Sequence, residues 1–281
     1  MVERQRGWTI ATHAVLGLGL LVVAFPIYVA LVASTHTAQE LLGQVPLWFG
    51  THLVDNYARA LSAGGRGAGS APVLRMLVNS LVMALTIAIG KIAISIISAY
   101  AIVYFRFPFR MACFWTIFLT LMLPVEIRIM PTFKVVADLK LLNSYAGLTI
   151  PLIASATATF LFRQFFLTVP EELTEASRID GAGPLRFFWS ILAPLSKTNI
   201  AALFVILFIF GWNQYLWPLL VTTDETMSTV VMGIKRVVPT GDAAAEWNLV
   251  MATVVLAMLP PIAIVVFMQR WFIKGLIETE K

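Results

Sequence analysis

Three charged side chains lie in or beside apolar segments of this chain: Lys91, Glu126 and Arg128. A charge inside a bilayer costs roughly 2.5–3.5 kcal/mol, so such residues usually face a protein interior or a water-filled path. Ser95 follows Lys91 by four residues, which places both side chains on one face of a helix. Arg128 lies between two prolines, where we expect a broken helix, and its planar guanidinium suits an anion such as phosphate. Two alternatives remain open: Arg128 pairs with Glu126 at the membrane surface, or Lys91 contacts a partner subunit.

Aromatic and amide side chains are mixed farther along the chain, in the sequence GWNQYLWPLL. Aromatic rings stack on the carbon faces of polyols, and amides hydrogen-bond to hydroxyl groups. The stretch therefore predicts a lining for a polyol path, and an aromatic belt at the membrane interface is the alternative. Its candidate residues are Trp212, Asn213, Gln214 and Tyr215.

The longest polar interval of the second half, residues 168–197, separates two apolar segments. Thr168 followed by Glu171 predicts a capping box that starts a helix over about 169–180. Gly181 and the Ala-Gly-Pro after it should end that helix, because glycine accepts a positive φ and proline cannot continue a helix. A second short helix, rich in bulky apolar residues, should then run up to Pro194. The interval is thus predicted to be a helix–turn–helix between two membrane spans.

The composition places this helix–turn–helix in a membrane protein. Hydrophobic residues make up 59% of the 281 residues, charged residues only 12%, and the mean hydropathy is +0.85. Soluble domains carry roughly 25% charged residues, and apolar runs long enough to cross a core of about 30 Å recur along this chain. We therefore predict an all-α, polytopic membrane protein with a single transmembrane domain over residues 1–281. Its six predicted transmembrane helices cover residues 9–33, 76–104, 112–139, 148–166, 199–221 and 249–267.

Six spans place both termini on one side of the membrane, which we predict to be the cytoplasm. In this orientation eleven of the twenty Lys and Arg residues face the cytoplasm, eight face the opposite side, and Lys91 lies in a span. The excess has the sign of the positive-inside rule but is small.

The sequence lacks the residues that several kinds of functional site require. The single cysteine, Cys113, cannot form an internal disulfide, and the three histidines have no metal-binding spacing. The glycine-rich run at 64–70 is not followed by the GK[ST] of a phosphate-binding loop, and no Walker A motif occurs elsewhere. Basic residues are scattered over loops, so a nucleic-acid partner is not expected. Because no cluster of catalytic groups is visible either, we predict a transport protein and not an enzyme.

Residues 168–197 resemble the EAA loop of ATP-binding-cassette (ABC) importer permeases. That pattern is Glu-Ala-Ala, three residues, Gly, nine residues and then Ile-x-Leu-Pro; here serine replaces the second alanine and Ala193 replaces the leucine. The resemblance implies that this cytoplasmic loop docks into a groove on an ATPase subunit, and that this partner binds ATP and Mg. The residues that the resemblance assigns to docking are Glu175, Ala176, Ser177, Asp180, Gly181, Ile191 and Pro194.

Other stretches narrow the resemblance to the carbohydrate-importer permeases, the family that includes the smaller maltose permease. TLMLPVEIRIMPTF, LLNSYAGL, ATATFLFRQFF and GWNQYLWPLL carry it, and it covers nearly the whole chain. Within this family, the run from Phe107 through Lys197, with EWN at 246–248, is most similar to the second permease subunit of sn-glycerol-3-phosphate importers. The resemblance implies a heterodimer with a sister permease, a homodimeric ATPase, a periplasmic substrate-binding protein and a place among the lipids of the bacterial inner membrane. It also implies sn-glycerol-3-phosphate or glycerophosphodiesters as cargo.

Two other readings of the transport function stay open. The same architecture could import another carbohydrate, such as maltose or an oligosaccharide, since these permeases share most of the motifs. An ion-coupled secondary transporter would need no docking loop, and one would expect a larger inverted repeat. Co-purification separates the two classes, because an ATPase should accompany an importer permease whereas a proton-driven carrier would come alone.

Overall fold

The computed structural model describes residues 6–63, 71–120, 123–238 and 246–277. Within these ranges the chain forms α-helices with short 3₁₀ and π segments and no β-strand, which confirms the predicted all-α fold. The α-helices follow in chain order as α1 (Arg6–Ala33), α2 (Leu53–Ala63), α3 (Val73–Tyr104), α4 (Arg110–Leu119), α5 (Val125–Asp138), α6 (Tyr145–Thr149), α7 (Ala156–Leu167), α8 (Glu171–Ile179), α9 (Pro184–Phe187), α10 (Ala193–Leu195), α11 (Lys197–Trp212), α12 (Leu216–Val221), α13 (Val230–Val237) and α14 (Trp247–Ile277).

Three described helices are long and apolar enough to cross a membrane by themselves: Trp8–Ala33, Val73–Tyr104 and Trp247–Arg270. Two further pairs of consecutive helices qualify only when each pair is taken as one bent span. In the first pair, α6 and a 3₁₀ turn meet α7 at 46°, and in the second, Pro184–Leu195 meets α11 at 70°. The described ranges therefore hold up to five candidate spans, and the count of six stays a prediction.

The segment predicted as a third span, residues 112–139, consists of two helices, α4 and α5. Pro124 occupies the position before the first residue of α5, with φ −54° and ψ 144°. We expected the interruption to extend to Pro131, but this residue lies inside α5. A proline removes one backbone donor and bends a helix without ending it when the residues on both sides stay helical.

The later spans also differ in detail from the sequence prediction. The segment predicted as a fifth span, 199–221, contains the end of α11 at Trp212 and the separate helix α12. The polar loop expected after it contains α13. Helix α14 continues through Pro260 and Pro261, as expected for a final span with two internal prolines. The glycine-rich run at 64–70 lies outside the described residues.

The chain forms two compact units: residues 1–76 with 233–259, and residues 77–232 with 260–281. The buried amide of Asn56 holds the first unit together. The Asn56 Nδ2 donates to the backbone carbonyls of Ser34 at 2.9 Å and His36 at 2.7 Å. The Asn56 Oδ1 accepts a hydrogen bond from the Nδ2 of Asn248 at 2.8 Å. This one side chain therefore joins the end of α1, helix α2 and the start of α14.

In the second unit, other helices pack closely against α3. A Cβ atom added to Gly211 of α11 would lie 2.9 Å from the Cα of Ala84, and one added to Gly90 would lie 2.8 Å from Ile153. Small residues at such points let two backbones approach and gain dispersion contacts. A core cluster adds α5, α6 and α12 to this packing; its buried members are Met83, Ile87, Ile129, Val136, Leu148, Trp217, Val221 and Met227.

A buried amide also fixes the beginning of α3. The Asn79 Nδ2 donates to the carbonyls of Thr226 at 2.8 Å and Ser228 at 2.9 Å. Its Oδ1 accepts a hydrogen bond from the Tyr145 hydroxyl at 2.6 Å. Asn79 is fully buried, so these directional bonds set the register of α3 against the segment after α12.

Candidate docking loop and buried charges

The docking loop, residues 168–197, is helical over most of its length. Helix α8 begins at Glu171, later than predicted, since Pro170 occupies its N-cap position and no side chain caps it. The predicted capping box is wrong: the Thr168 hydroxyl donates to the carbonyl of Phe165 at 2.7 Å. Only three residues separate α7 from α8, and the threonine caps the helix before it and not the helix after it.

Helix α8 ends in a Schellman turn at Gly181. The N–H of Ala182 donates to the carbonyl of Ser177 at 2.9 Å, and the N–H of Gly181 donates to the carbonyl of Arg178 at 3.0 Å. Gly181 has φ +71°, the left-handed conformation that the sequence predicts for it and that glycine adopts at no steric cost. A Cβ atom at this position would meet nothing within 4 Å. The backbone conformation, and not crowding inside this chain, therefore requires the glycine.

The outer surface of the docking loop exposes large apolar side chains. Ile179 is 86% exposed, Leu185 75% and Trp189 69%. These exposed side chains lie on both sides of the glycine turn in the sequence, and exposed apolar groups of this size are typical of interaction surfaces. Of the residues assigned to docking, Glu175, Ala176, Asp180, Gly181 and Pro194 are exposed, Ile191 is half-buried and Ser177 is buried.

The docking loop is attached to α3 by an aromatic anchor made of Tyr100, Tyr104, Phe187 and Phe188. The Tyr100 hydroxyl donates to the carbonyl of Pro184 at 2.8 Å, and its ring lies 5.0 Å from that of Phe188. The Tyr104 ring lies 5.3 Å from that of Phe187. Sequence reasoning missed both tyrosines, whose four-residue spacing at the end of an apolar span was the available signal.

The docking loop joins α11 through a π-helical turn and a bend. The π turn covers Phe188–Leu192, between α9 and α10, and such turns are often found at functional sites. The Ser196 hydroxyl and N–H both donate to the carbonyl of Leu192, at 2.7 and 3.0 Å. Pro194 has no N–H to give to a continuing helix, and the chain turns by 70° before α11.

Lys91 is the buried cation of α3. Its side chain is only 8% exposed, and its Nζ lies 3.9 Å from the centroid of the Phe210 ring. Arg128 of α5 is exposed. No carboxylate among the described side chains forms an ion pair with either cation. The side chain of Glu126 lies outside the described part of the structure, so its pairing with Arg128 stays a hypothesis.

The other candidates divide into packed and accessible groups. Ser95 is fully buried, and its hydroxyl donates to the carbonyl of Ser155 at 3.1 Å. Trp212 is also buried, whereas Asn213 is exposed and Gln214 is half-buried. The Nε2 of Gln214 donates to the carbonyl of Phe210 at 3.2 Å, and Tyr215 is half-buried. No group of three or more His, Cys, Asp or Glu in the described ranges could hold a metal ion.

Comparisons with known proteins agree with this architecture. Residues 91–278 match the family described as "Binding-protein-dependent transport system inner membrane component". The chain is 58% identical to the sn-glycerol-3-phosphate transport system permease protein UgpE of Rhizobium meliloti (strain 1021), over the full length of both. It is 56% identical to the protein of the same name from Yersinia enterocolitica, again over both full lengths.

The fold has a solved counterpart in a bacterial ABC transporter involved in the import of the acidic polysaccharide alginate. That chain superposes with a TM-score of 0.82 at 21% identity, covering 97% of this chain and 99% of the other. At this identity the likeness concerns the fold alone. Taken with the family match and the full-length relatives, it shows that the chain belongs to the inner-membrane permease components of binding-protein-dependent ABC importers.

Proposed function

We propose that this chain is one of two permease subunits of an importer that carries sn-glycerol-3-phosphate across the bacterial inner membrane. The proposal is supported by 58% identity, over the full length of both chains, to permeases whose names include sn-glycerol-3-phosphate transport. The chain supplies part of the membrane path and does not itself catalyse a reaction. Both termini lie in the cytoplasm, and the docking loop faces the same compartment.

The complete importer contains a sister permease, two copies of an ATPase subunit that bind ATP and Mg, and a periplasmic substrate-binding protein. The exposed apolar surface around the Gly181 turn supports the proposed contact with the ATPase. Ile179, Leu185 and Trp189 remain exposed there, and Ala176 beside them is small enough for close backbone approach. A groove on the ATPase would bury this surface.

The structure suggests how motion passes from the ATPase to the membrane helices. ATP closes the two ATPase subunits, and the docking loop moves with the surface that holds it. The aromatic anchor transmits the displacement to α3, and the bend at Ser196 transmits it to α11. The permease pair then opens outward and accepts cargo from the binding protein, and hydrolysis resets it inward, as rigid-body alternating access requires.

A bulky residue at Ala176 tests the docking surface. We expect Ala176→Trp to abolish co-purification of the ATPase subunit, because the indole would separate the two backbones. Ala58→Trp, on the exposed face of α2, is the matched control and should retain the ATPase. Equal recovery of the ATPase with both variants would contradict the assignment of the docking loop.

Two substitutions at Gly181 distinguish the role of its backbone conformation from the role of a contact with the ATPase. Gly181→Val cannot adopt φ +71° without strain of about 1–2 kcal/mol, whereas Gly181→Asn tolerates this conformation. If the turn alone matters, asparagine restores transport; if a partner touches the glycine, both variants lose it. Normal transport by the valine variant at normal expression would refute the mechanical role of the docking loop.

The cargo is tested on the soluble receptor, which selects it before the permease. The cognate binding protein should bind radiolabelled sn-glycerol-3-phosphate and should not bind radiolabelled maltose. Binding of maltose alone would leave the importer assignment unchanged and would contradict sn-glycerol-3-phosphate as the cargo.

A further inference from the structure

Lys91 and Arg128, two cations of the second unit, lie beside residues of one core cluster. Ile87 of α3 and Ile129 of α5 are both buried members of this cluster, so both helices contribute to it. Lys91 follows Ile87 by one helical turn on the same face of α3, and Arg128 directly precedes Ile129. The shared core cluster therefore places the two cations in the same region of the second unit.

Among the described side chains, this arrangement lacks a counter-charge. Lys91 is withdrawn from solvent, and the Phe210 ring compensates its charge only partly. Arg128 adds a like charge instead of a counter-charge, and the described side chains supply no carboxylate in an ion pair with either residue. An anion held between the two cations would relieve both the burial and the repulsion.

We propose that Lys91 and Arg128 together bind the phosphate group of the cargo inside the membrane path, an inference that rests on the proposed import of sn-glycerol-3-phosphate. Arginine offers a planar fork of donors that matches phosphate oxygens, and lysine adds a compact charge. Gln214 follows Phe210 by one turn, and the neighbouring Asn213 is exposed. The amides of Asn213 and Gln214, just beyond the end of α11, are therefore candidate partners for the polyol hydroxyl groups.

The test measures cargo imported per ATP hydrolysed by the complete importer in proteoliposomes, with saturating loaded binding protein. Arg128→Gln and Lys91→Met should lower this ratio about tenfold, while ATP hydrolysis stimulated by the binding protein persists. Arg128→Lys, which keeps the charge, should recover most of the ratio. Lys134→Gln is the matched control, since Lys134 is another exposed cation of α5, and it should behave as the wild type.

Arg128 is exposed, so its substitution keeps the test valid even if Lys91→Met fails to fold. Import and ATP hydrolysis that fall together in Arg128→Gln would indicate a structural role and overturn the site. An unchanged ratio would overturn it as well, and so would recovery of the ratio by Glu126→Gln in the Arg128→Gln background, which would assign Arg128 to Glu126. A wild-type importer that takes up no sn-glycerol-3-phosphate would overturn the proposed function and the site with it.

A phospholipid headgroup presents the same phosphate chemistry as the cargo. The assay is therefore repeated in vesicles of phosphatidylcholine alone and in vesicles that also contain phosphatidylglycerol. A defect of Arg128→Gln that is equal in both vesicles supports the cargo site. A defect that appears only with phosphatidylglycerol would assign the cations to lipid and overturn the proposal.

Discussion

Helix α3 is held near its beginning by the amide of Asn79 and near its end by the rings of Tyr100 and Tyr104. The amide makes three hydrogen bonds with defined directions, and these bonds allow one register only. At the other end, ring contacts at 5.0 and 5.3 Å and one hydroxyl bond attach the docking loop. Ring contacts survive small rotations that would break a hydrogen bond. The beginning of α3 is therefore held by three directional bonds, and its end mainly by ring contacts.

The largest effect should come from the amide end. Asn79→Leu removes three hydrogen bonds, worth about 1 kcal/mol each, and should destabilise the protein by about 3 kcal/mol. Thermal unfolding in detergent measures the loss. Asn79→Asp keeps an acceptor for Tyr145 but turns a buried carboxylate oxygen toward the carbonyls of Thr226 and Ser228, so it should destabilise the protein at least as much. Equal stability of the leucine variant and the wild type would contradict the comparison between the two ends.

The contact between α3 and α11 should give the next largest effect. Gly211→Val places a Cβ atom 2.9 Å from the Cα of Ala84, so the two backbones must separate, at a cost of about 2 kcal/mol. Gly183→Ala is the control, since a Cβ atom there meets nothing within 4 Å. Thermal unfolding of both variants tests this, and equal midpoints would show that the backbones can separate freely.

A smaller effect is expected at the aromatic anchor. Tyr100→Phe keeps the ring and removes the bond to the Pro184 carbonyl, a loss of about 1 kcal/mol. Hydrogen exchange in the docking loop should accelerate about fivefold, while the melting temperature changes little. Tyr100→Leu, which also removes the ring, should reduce transport per ATP. If phenylalanine and leucine act alike, the hydroxyl and not the ring attaches the loop.

The smallest effect is expected at Ser177, where the sequence departs from the alanine of the family pattern. Its hydroxyl donates to the carbonyl of Thr174 within the same helix, at 3.0 Å. Such a local bond adds little to helix stability, so Ser177→Ala should change stability and ATPase stimulation by less than about 0.5 kcal/mol. A large change in ATPase stimulation would show that this buried serine participates in coupling.

Local chain chemistry explains which parts of the docking loop could be predicted. Gly181 was predictable, because a positive φ excludes most other residues and leaves a trace in the sequence. The cap at Thr168 was not, because the same hydroxyl can serve the helix before it or the helix after it. Only the short connection between α7 and α8 decides between these two bonds, and helix ends cannot be located so closely from sequence.

The contacts made by α3 were less predictable than its length. A long apolar run predicts a membrane span whatever its neighbours are. Tyr100 and Tyr104 looked like any aromatic residues at a membrane interface, and Asn79 like any polar residue near a span end. Their partners lie between 62 and 149 positions away in the sequence, and no local pattern records such pairs.

Lys91 and Tyr100 lie on one continuous helix that contains no proline. Nine residues of α-helix span about 13.5 Å, and a tilt of about 10° about Lys91 would move Tyr100 by about 2 Å. Residues 91–100 contain no helix break that could absorb this movement. Whatever tilts α3 at Tyr100 therefore also moves the residues beside the Lys91 ammonium group, without any relay of side chains between them.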